Sequence, residues 1–388
     1  MKSQSKLIAA SITVFIFILC SINPATANAK STASINETMV NIGHTMEGIF
    51  PIIFDNEKPD KKDQKKLKKS TEKLSKLFKN AKPHIDAKSP TYRISFEVIE
   101  TQLSQALSAI KYKNFDYTKS ILNDFTSICT TCHTQDPKLR SLFPNVKRES
   151  FGSDYNYAEF NYMTRNYQPA IDYYNKHLKN VSKINEAELL SIMKRMMTIY
   201  LQVDYRPDDA IEQLSNLKNY KLHTKFSRKT LNEWLSGLAE LKKNSKKLPT
   251  INNIDQLNVH VNKILGDLHE PGSAQFPNKR ERISRIWLRG VLYHYLNTEP
   301  SREETPIILY WLAIIDRSIN FSLYYSLADM YLKECILQYT SHPYAKKCFD
   351  EYEAYVTMAY SGSRGTDIPE DIQDEVKALR IRVHTAPK

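Results

Sequence analysis

Glycine is the residue whose scarcity most restricts this chain: there are nine glycines in 388 residues, where an ordinary composition gives about 27. Parallel α/β folds that bind nucleotides need glycines in tight turns and where the backbone approaches a phosphate. Long runs rich in Lys, Leu, Glu, Ala and Tyr favour helices instead. Hydrophobic residues make up 41% and charged residues 25% of the chain, which excludes disorder, collagen and a multi-span membrane protein as the main class. We therefore predict an all-α protein.

The first thirty residues have the organisation of a secretory signal peptide. Lys2 and Lys6 precede an apolar run over residues 7–22, and Ala27-Asn28-Ala29 supplies a small-x-small cleavage site. The run is shorter than the ~20 residues that a spanning helix needs, although an uncleaved membrane anchor stays the alternative. Cleavage after Ala29 makes residues 1–29 a signal peptide, and it predicts a periplasmic protein in an oxidising compartment.

The sequence Cys129-Thr130-Thr131-Cys132-His133 is a C-x-x-C-H, the attachment motif for c-type haem. Residues i and i+3 of a helix lie on one face, so both thiols can reach one porphyrin, and the adjoining imidazole can ligate the iron. A thioredoxin-like redox pair needs a βαβ setting, which this segment lacks, and a zinc site needs a second ligand pair nearby. We predict one haem c per chain, held by Cys129 and Cys132, with His133 as the proximal iron ligand.

Four amphipathic segments with short connections lead up to this motif. Their apolar residues recur with the period of a helix, and the fourth stripe carries both cysteines and the histidine. The stripes are Ile35, Met39, Ile42, Met46, Ile49, Phe50 and Ile53; Leu67, Leu74, Leu77, Phe78 and Ala81; Tyr92, Phe96, Ile99, Leu103, Leu107 and Ile110; and Ile121, Leu122, Phe125, Ile128, Cys129, Cys132 and His133. Ser34 or Asn36 is expected to cap the first helix, Pro83 to end the second and Pro137 to close the fourth. The pattern predicts an up-down-up-down four-helix bundle.

Four helices with C-x-x-C-H near the end of the last one resemble the cytochrome c′ family and its b-type four-helix relatives. The segment from Met39 to Met46 is also similar to the family's Met-x-x-hydrophobic-Gly-x-x-Met run beside the distal haem face. The resemblance covers about residues 34–136 and implies a haem-binding bundle over residues 30–145. The chain departs from the family after the motif, where Thr134-Gln135-Asp136-Pro137 stands in place of an aromatic-Arg pair.

The residue on the distal side of the iron decides the mechanism. The start of the first helix and the end of the fourth share one end of such a bundle, which puts Met39 within about one turn of the level of His133. Met46 lies about 10 Å deeper, so Met39 is the better candidate; alternatively both methionines only fill the core. A bound thioether gives iron suited to electron transfer, whereas an open site can take a small gas. His44 is expected to face solvent, and His84 to lie at the surface in the loop between the second and third helices.

Residues 150–388 continue as helix after helix without a further haem motif. Small residues with Tyr and Leu recur over 157–178 and again over 197–214, which resembles degenerate tetratricopeptide repeats. Later helix pairs are predicted at 225–243 with 256–270, 280–297 with 305–318, and 321–340 with 343–360. We predict a tetratricopeptide-like α-solenoid that binds a partner protein, with a closed helical domain as the alternative. The sequence lacks phosphate-loop, H-E-x-x-H, G-x-S-x-G and EF-hand motifs, so we expect an electron carrier rather than an enzyme.

Two of the four cysteines that remain after signal cleavage lie near the C-terminus. Cys335 and Cys348 flank the turn at residues 340–343, each five residues from it. Those positions face each other in an antiparallel helix pair, and an oxidising compartment then favours a disulfide. The alternatives are two buried free thiols, or metal binding together with His342.

The chain carries 55 Lys and Arg against 43 Asp and Glu, a net charge of +12. Six lysines between Lys61 and Lys69 form either a solvated helix face or a patch that docks an acidic redox partner or anionic lipid heads. We expect no nucleic-acid partner for an exported haem protein, and at most peripheral contact with a membrane. The sequence thus predicts an exported monohaem cytochrome that transfers electrons. The alternatives are a gas-binding or sensing module, and an interaction scaffold in which haem is secondary.

Overall fold

The structure, a computed structural model, describes residues 34–386 apart from short gaps at 56, 86–89, 137–140, 142–145, 181–183, 220–223, 246–247, 267–270, 273–277, 320–326 and 364. The predicted signal peptide and its cleavage site lie outside the described residues, as does Pro137. From Ser34 onward the described residues pack as one unit.

Fifteen α-helices account for nearly all the regular structure of the described residues, about 80% of which are helical. The helices are α1 (Ile35–Ile53), α2 (Lys61–Ile85), α3 (Pro90–Lys111), α4 (Phe115–His133), α5 (Asp154–Met163), α6 (Tyr167–Leu178), α7 (Glu186–Met197), α8 (Pro207–Asn216), α9 (Lys225–Asn244), α10 (Ile254–Leu265), α11 (Lys279–Leu296), α12 (Thr305–Ile319), α13 (Leu327–Gln338), α14 (Pro343–Ala359) and α15 (Glu370–Thr385). A π-helical segment, Thr198–Val203, extends α7, and two short antiparallel strands, β1 (Ser361–Gly362) and β2 (Gly365–Thr366), precede α15. The all-α prediction is confirmed.

Helices α1 to α4 pack in sequence order, α1 on α2, α2 on α3 and α3 on α4, and α1 also contacts α4. Most of the stripe residues form their shared core, in which the Phe78 ring meets the rings of Phe96 and Phe125 at 5.3 and 5.6 Å between centroids. Ser34 caps α1 by accepting a hydrogen bond from the Glu37 N–H. Pro83 does not end α2 as expected: it lies in the last turn, and the helix runs on to Ile85, which is buried in the same core.

A second hydrophobic cluster runs from α5 to α15 and also takes in Ile94 and Val98 of α3. Within it α5 packs on α6, α11 on α12, α12 on α13, and α13 on α14. The predicted helices at 225–243, 280–297, 305–318 and 343–360 agree with α9, α11, α12 and α14 within about two residues. The start of the helix predicted at 321 and the end of the one predicted at 270 lie outside the described residues.

The predicted pairing of 225–243 with 256–270 is wrong as the main contact of α9. Helix α9 packs on α8 and α11, while α10 packs on α11. Gly237 supplies the reason, because a Cβ atom at this position would lie 2.6 Å from the carbonyl oxygen of Arg280 in α11. The missing side chain therefore lets the two helix backbones approach closely.

Two helix hairpins, one before the C-x-x-C-H motif and one after it, share one turn geometry. Lys113 between α3 and α4 has φ 58°, and Arg165 between α5 and α6 has φ 67°. In each turn the next residue donates its N–H to a carbonyl five residues back: Asn114 to Ala109 (2.9 Å) and Asn166 to Asn161 (2.8 Å). This is the Schellman arrangement that usually takes glycine, and here it is built without one.

We predict that Gly237→Ala lowers the free energy of unfolding by about 1–3 kcal/mol, because the added methyl group overpacks the α9–α11 contact. Gly48→Ala is the matched control: it also lies inside a helix, but its nearest foreign atom, Lys66 Cε, is 3.8 Å away. That variant should gain about 0.5–1 kcal/mol. Urea unfolding of the two full-length variants checks both, and equal effects in the two would contradict the close approach.

Candidate functional site

The Cys129–His133 motif forms the last two turns of α4. Asn114 starts this helix by accepting a hydrogen bond from the Tyr117 N–H at 3.2 Å, and the apolar stripe turns the motif inward. Cys129 and Cys132 are each 8% exposed, and both are free thiols. They lie three residues apart, on the same face of the helix. The structure therefore provides two buried, unbonded sulfur atoms on one face.

The imidazole of His133 contacts a backbone carbonyl group at the end of α5. Its Nδ1 atom makes a short contact with the carbonyl oxygen of Met163. Because a carbonyl only accepts, Nδ1 carries the proton in this arrangement and Nε2 keeps its lone pair. Burial, reinforced by the nearby Arg165 guanidinium, lowers the pKa of His133 to about 3, so the imidazole stays neutral.

Burial also keeps the two thiols protonated. It raises the pKa of Cys129 far above its ordinary value, and the neighbouring Cys132 adds to that effect. It raises the pKa of Cys132 to about 11, although the Arg165 charge opposes the change. Neither cysteine has the depressed pKa of a redox-active C-x-x-C pair.

A cavity of about 1050 Å³ opens beside these residues. This volume is at the upper end of the range of ligand sites in proteins. Its apolar walls are Ile35, Met39, Ile42, Gly43 and Met46 from α1, Phe78 and Ile85 from α2, Pro90, Tyr92, Phe96 and Ile99 from α3, and Cys129 and Cys132 from α4. The polar residues of the lining are Asn36, His133, Asp136, Thr164, Arg165, Asn297, Glu299 and Thr305, and Met163, Leu296 and Pro300 complete it. Apolar residues therefore form the larger part of the cavity lining.

The structure places both distal candidates on the wall of this cavity. Met39 is partly buried and Met46 is fully buried. His44 is exposed and lies 3.3 Å from Glu47, as the helix period predicts. His84 differs from its prediction, because α2 continues through it and it belongs to the last helical turn rather than to a loop.

Sequence reasoning missed the cavity residues that follow the C-x-x-C-H motif by thirty or more positions. Met163 is the last residue of α5 and Arg165 lies in the turn to α6, while Asn297 and Glu299 lie in the turn between α11 and α12. The Arg165 Nε atom donates to the carbonyl oxygen of His133 at 3.2 Å. No local pattern marks these turns, because they reach the motif only through the tertiary packing of helices far apart in the chain.

Cys335 and Cys348 are joined in a disulfide between α13 and α14, with 6.4 Å between their Cα atoms. Both are fully buried. His342 caps α14 instead of joining them: its Nδ1 atom accepts a hydrogen bond from the Tyr344 N–H at 3.1 Å.

The lysines between Lys61 and Lys69 are all exposed on α2. Within the part of the chain that the structure describes, none of these six has an ion-pair partner. Leu67 and Leu74 of the same helix are completely buried. The face that these lysines present to solvent is therefore basic.

Comparisons with known proteins give no relative: the chain matches no family model, no curated protein and no solved structure. None of the described helices is long and apolar enough to cross a membrane. Among the described residues, no three His, Cys, Asp or Glu side chains come together as a metal-binding group.

We predict that replacing both Cys335 and Cys348 by Ala lowers the free energy of unfolding by about 3 kcal/mol under oxidising conditions, because the bridge closes a short loop. Urea unfolding with and without dithiothreitol measures the effect. The reductant should destabilise the native chain and leave the double variant unchanged. Equal urea midpoints for the two oxidised proteins would contradict the prediction.

Proposed function

We propose that the chain is an exported monohaem c-type cytochrome that carries electrons in the periplasm. Helices α1 to α4 are its haem-binding four-helix bundle, related in plan to cytochrome c′, and α5 to α15 are a tetratricopeptide-like domain that binds a partner protein. One observation carries the proposal: two buried free thiols at C-x-x-C spacing and a fixed neutral imidazole line the same cavity of about 1050 Å³.

The residues present fit a haem group. Cys129 and Cys132 would attach the porphyrin, and His133 would offer Nε2 to the iron because Nδ1 is taken by the Met163 carbonyl. Met39 would supply a thioether as the second protein ligand, and the apolar wall would exclude water. Haem iron, when bound, supplies reversible one-electron chemistry. An iron held by a porphyrin needs only one or two protein ligands, so a protein-only cage is not required.

The protein's own contribution would be to tune the reduction potential of the bound iron and to shield it from water. The hydrogen bond from Nδ1 to the Met163 carbonyl would make Nε2 of the neutral His133 a stronger electron-pair donor to a metal than a free imidazole. A thioether ligand from Met39 would favour the reduced state of a bound iron and so raise its reduction potential. The Arg165 charge next to His133 would act in the same direction, because a nearby cation would disfavour the oxidised state.

The exposed lysines of α2 suit an acidic redox partner. Lys69 is nine residues before Phe78, which lines the cavity, a distance of about 13 Å along the helix. A partner held on this face by charge would associate quickly and lose affinity as salt rises. A lipid surface with anionic heads is the other source of negative charge, and membrane contact would then be peripheral.

A gas-binding or sensing module is the second candidate. The distal wall that Met39, Ile42, Met46 and Phe96 form is apolar, which also suits a small diatomic gas beside five-coordinate iron. In a third reading, the helical domain is an interaction scaffold in which haem is secondary.

We predict that the mature protein, made with a haem-maturation system, has a low-spin reduced spectrum that does not change when CO is added. Met39→Leu should then open the iron and make the spectrum CO-sensitive, because leucine has no ligand atom. Two variants serve as matched controls and should bind no CO. Met46→Leu changes a second methionine of the cavity lining, and Met330→Leu changes a methionine that does not line the cavity. Absorption spectroscopy with CO titration measures all four proteins.

Different outcomes separate the candidates. The absence of haem bands from the native protein would contradict the central proposal. A high-spin native spectrum that CO sharpens would replace electron transfer by gas binding. The scaffold function would be favoured by a Cys129→Ser variant of the full chain that keeps the native phenotype and still captures a partner through α5 to α15.

A further inference from the structure

Side chains from beyond residue 150 hold the C-terminal end of α4. A helix leaves its last carbonyl groups without partners inside the helix, and here three successive carbonyls accept side-chain hydrogen bonds. The pairs are Arg165 Nε to His133 O (3.2 Å), Gln202 Nε2 to Thr134 O (3.2 Å) and Asn297 Nδ2 to Gln135 O (2.7 Å). The donors come from the α5–α6 turn, the π-helical end of α7 and the end of α11. Three separate parts of the helical array thus meet one helix end.

Gln202 is the most constrained of the three donors. Its Nε2 atom also donates to Thr134 Oγ1 at 2.9 Å, and its Oε1 atom accepts from Arg289 Nε at 2.8 Å. Arg289 in turn pairs with Asp316 at 3.0 Å, and both side chains are 4% exposed. The amide of Gln202 is therefore fixed in one orientation, with its donor end toward Thr134.

The backbone around Gln202 is equally tight. A Cβ atom on Gly290 of α11 would lie 2.9 Å from the Gln202 Cα atom. The hydroxyl of Tyr205 donates to the Gly290 carbonyl at 3.0 Å. Side chain and backbone together leave Gln202 little room to move, so Thr134 is held as firmly as Gln202 itself.

We propose that Gln202 is a positioning residue for the iron ligand, and that the helical array is part of the haem site rather than an appendage to it. Gln202 fixes the carbonyl of Thr134, the residue directly after His133, so it sets the direction in which α4 presents Cys132 and His133 to the cavity. The effect of Gln202 on an iron ligand rests on the proposed function. The claim that Gln202 fixes the end of α4 does not depend on haem.

The test is Gln202→Glu in the full chain. Glutamate keeps the acceptor for Arg289 but loses the N–H donor, and it places a carboxylate against the Thr134 carbonyl. We expect amide hydrogen exchange of Thr134 and Gln135 to rise about tenfold, because the carbonyl and the hydroxyl of Thr134 both lose their donor and the end of α4 opens more often. In the haem-loaded protein we expect a shifted reduction potential and a changed visible spectrum, which a loss of global stability alone would not produce.

The matched control is Gln213→Glu, whose Oε1 atom accepts from Asn175 Nδ2 at 3.0 Å, away from the motif. It should change neither readout. Should Gln202→Glu not fold, Asn297→Asp carries the test, because it removes the donor to Gln135 at a less buried position. Unchanged exchange and an unchanged potential in a folded variant would overturn the inference.

Failure of the inference and failure of the proposed function look different. If the native chain attaches no haem, the proposed function fails, while the exchange measurement still tests the role of Gln202. If the native chain is loaded and Gln202→Glu behaves like the control, only the inference fails.

Discussion

The polar end of helix α4 is the constraint on which the rest of the structure depends. This end has to lie inside the protein, because both cysteines and His133 face the cavity, and so its free carbonyl groups cannot be left to water. The chain solves the problem with side-chain donors from beyond residue 150, and with the Met163 carbonyl, which accepts a hydrogen bond from His133 Nδ1. The same contacts that satisfy the helix end also fix the tautomer of the imidazole. Structure and candidate chemistry therefore share one set of hydrogen bonds.

This arrangement ties together two hydrophobic cores that the sequence presents as separate. The core of α1 to α4 includes Phe151, Phe160 and Met163 from beyond the motif, while the larger core takes Ile94 and Val98 from α3. Arg93 of α3 also pairs with the buried Glu334 of α13. Each half thus lends residues to the other, and the cavity lies where they meet.

The sequence predicts what is local, and it fails where distant segments meet. The stripes of α1 to α4 and the C-x-x-C-H spacing are visible in short windows, because burial repeats with the helix period. The close pairing of α9 with α11 depends on Gly237 meeting the backbone of Arg280, and no window of sequence shows that contact. The turns at Lys113 and Arg165 adopt a conformation that favours glycine, so a search for glycine passes over them. Arg165, Gln202 and Asn297 remain invisible for the same reason: their partners are separated from them by between 32 and 162 positions.

Charge burial explains why Gln202, rather than a simple apolar contact, holds the end of α4. Removing Arg289 and Asp316 from water is costly, and apolar residues of similar size often stabilise a core as well or better. What the ion pair adds is direction, because the guanidinium has fixed N–H positions that orient the Gln202 amide. An apolar replacement would fill the same space but would let the amide turn over and present its oxygen to the Thr134 carbonyl. Burying the pair is therefore useful to the protein if the direction of α4 matters, and the proposed haem site would require a fixed direction.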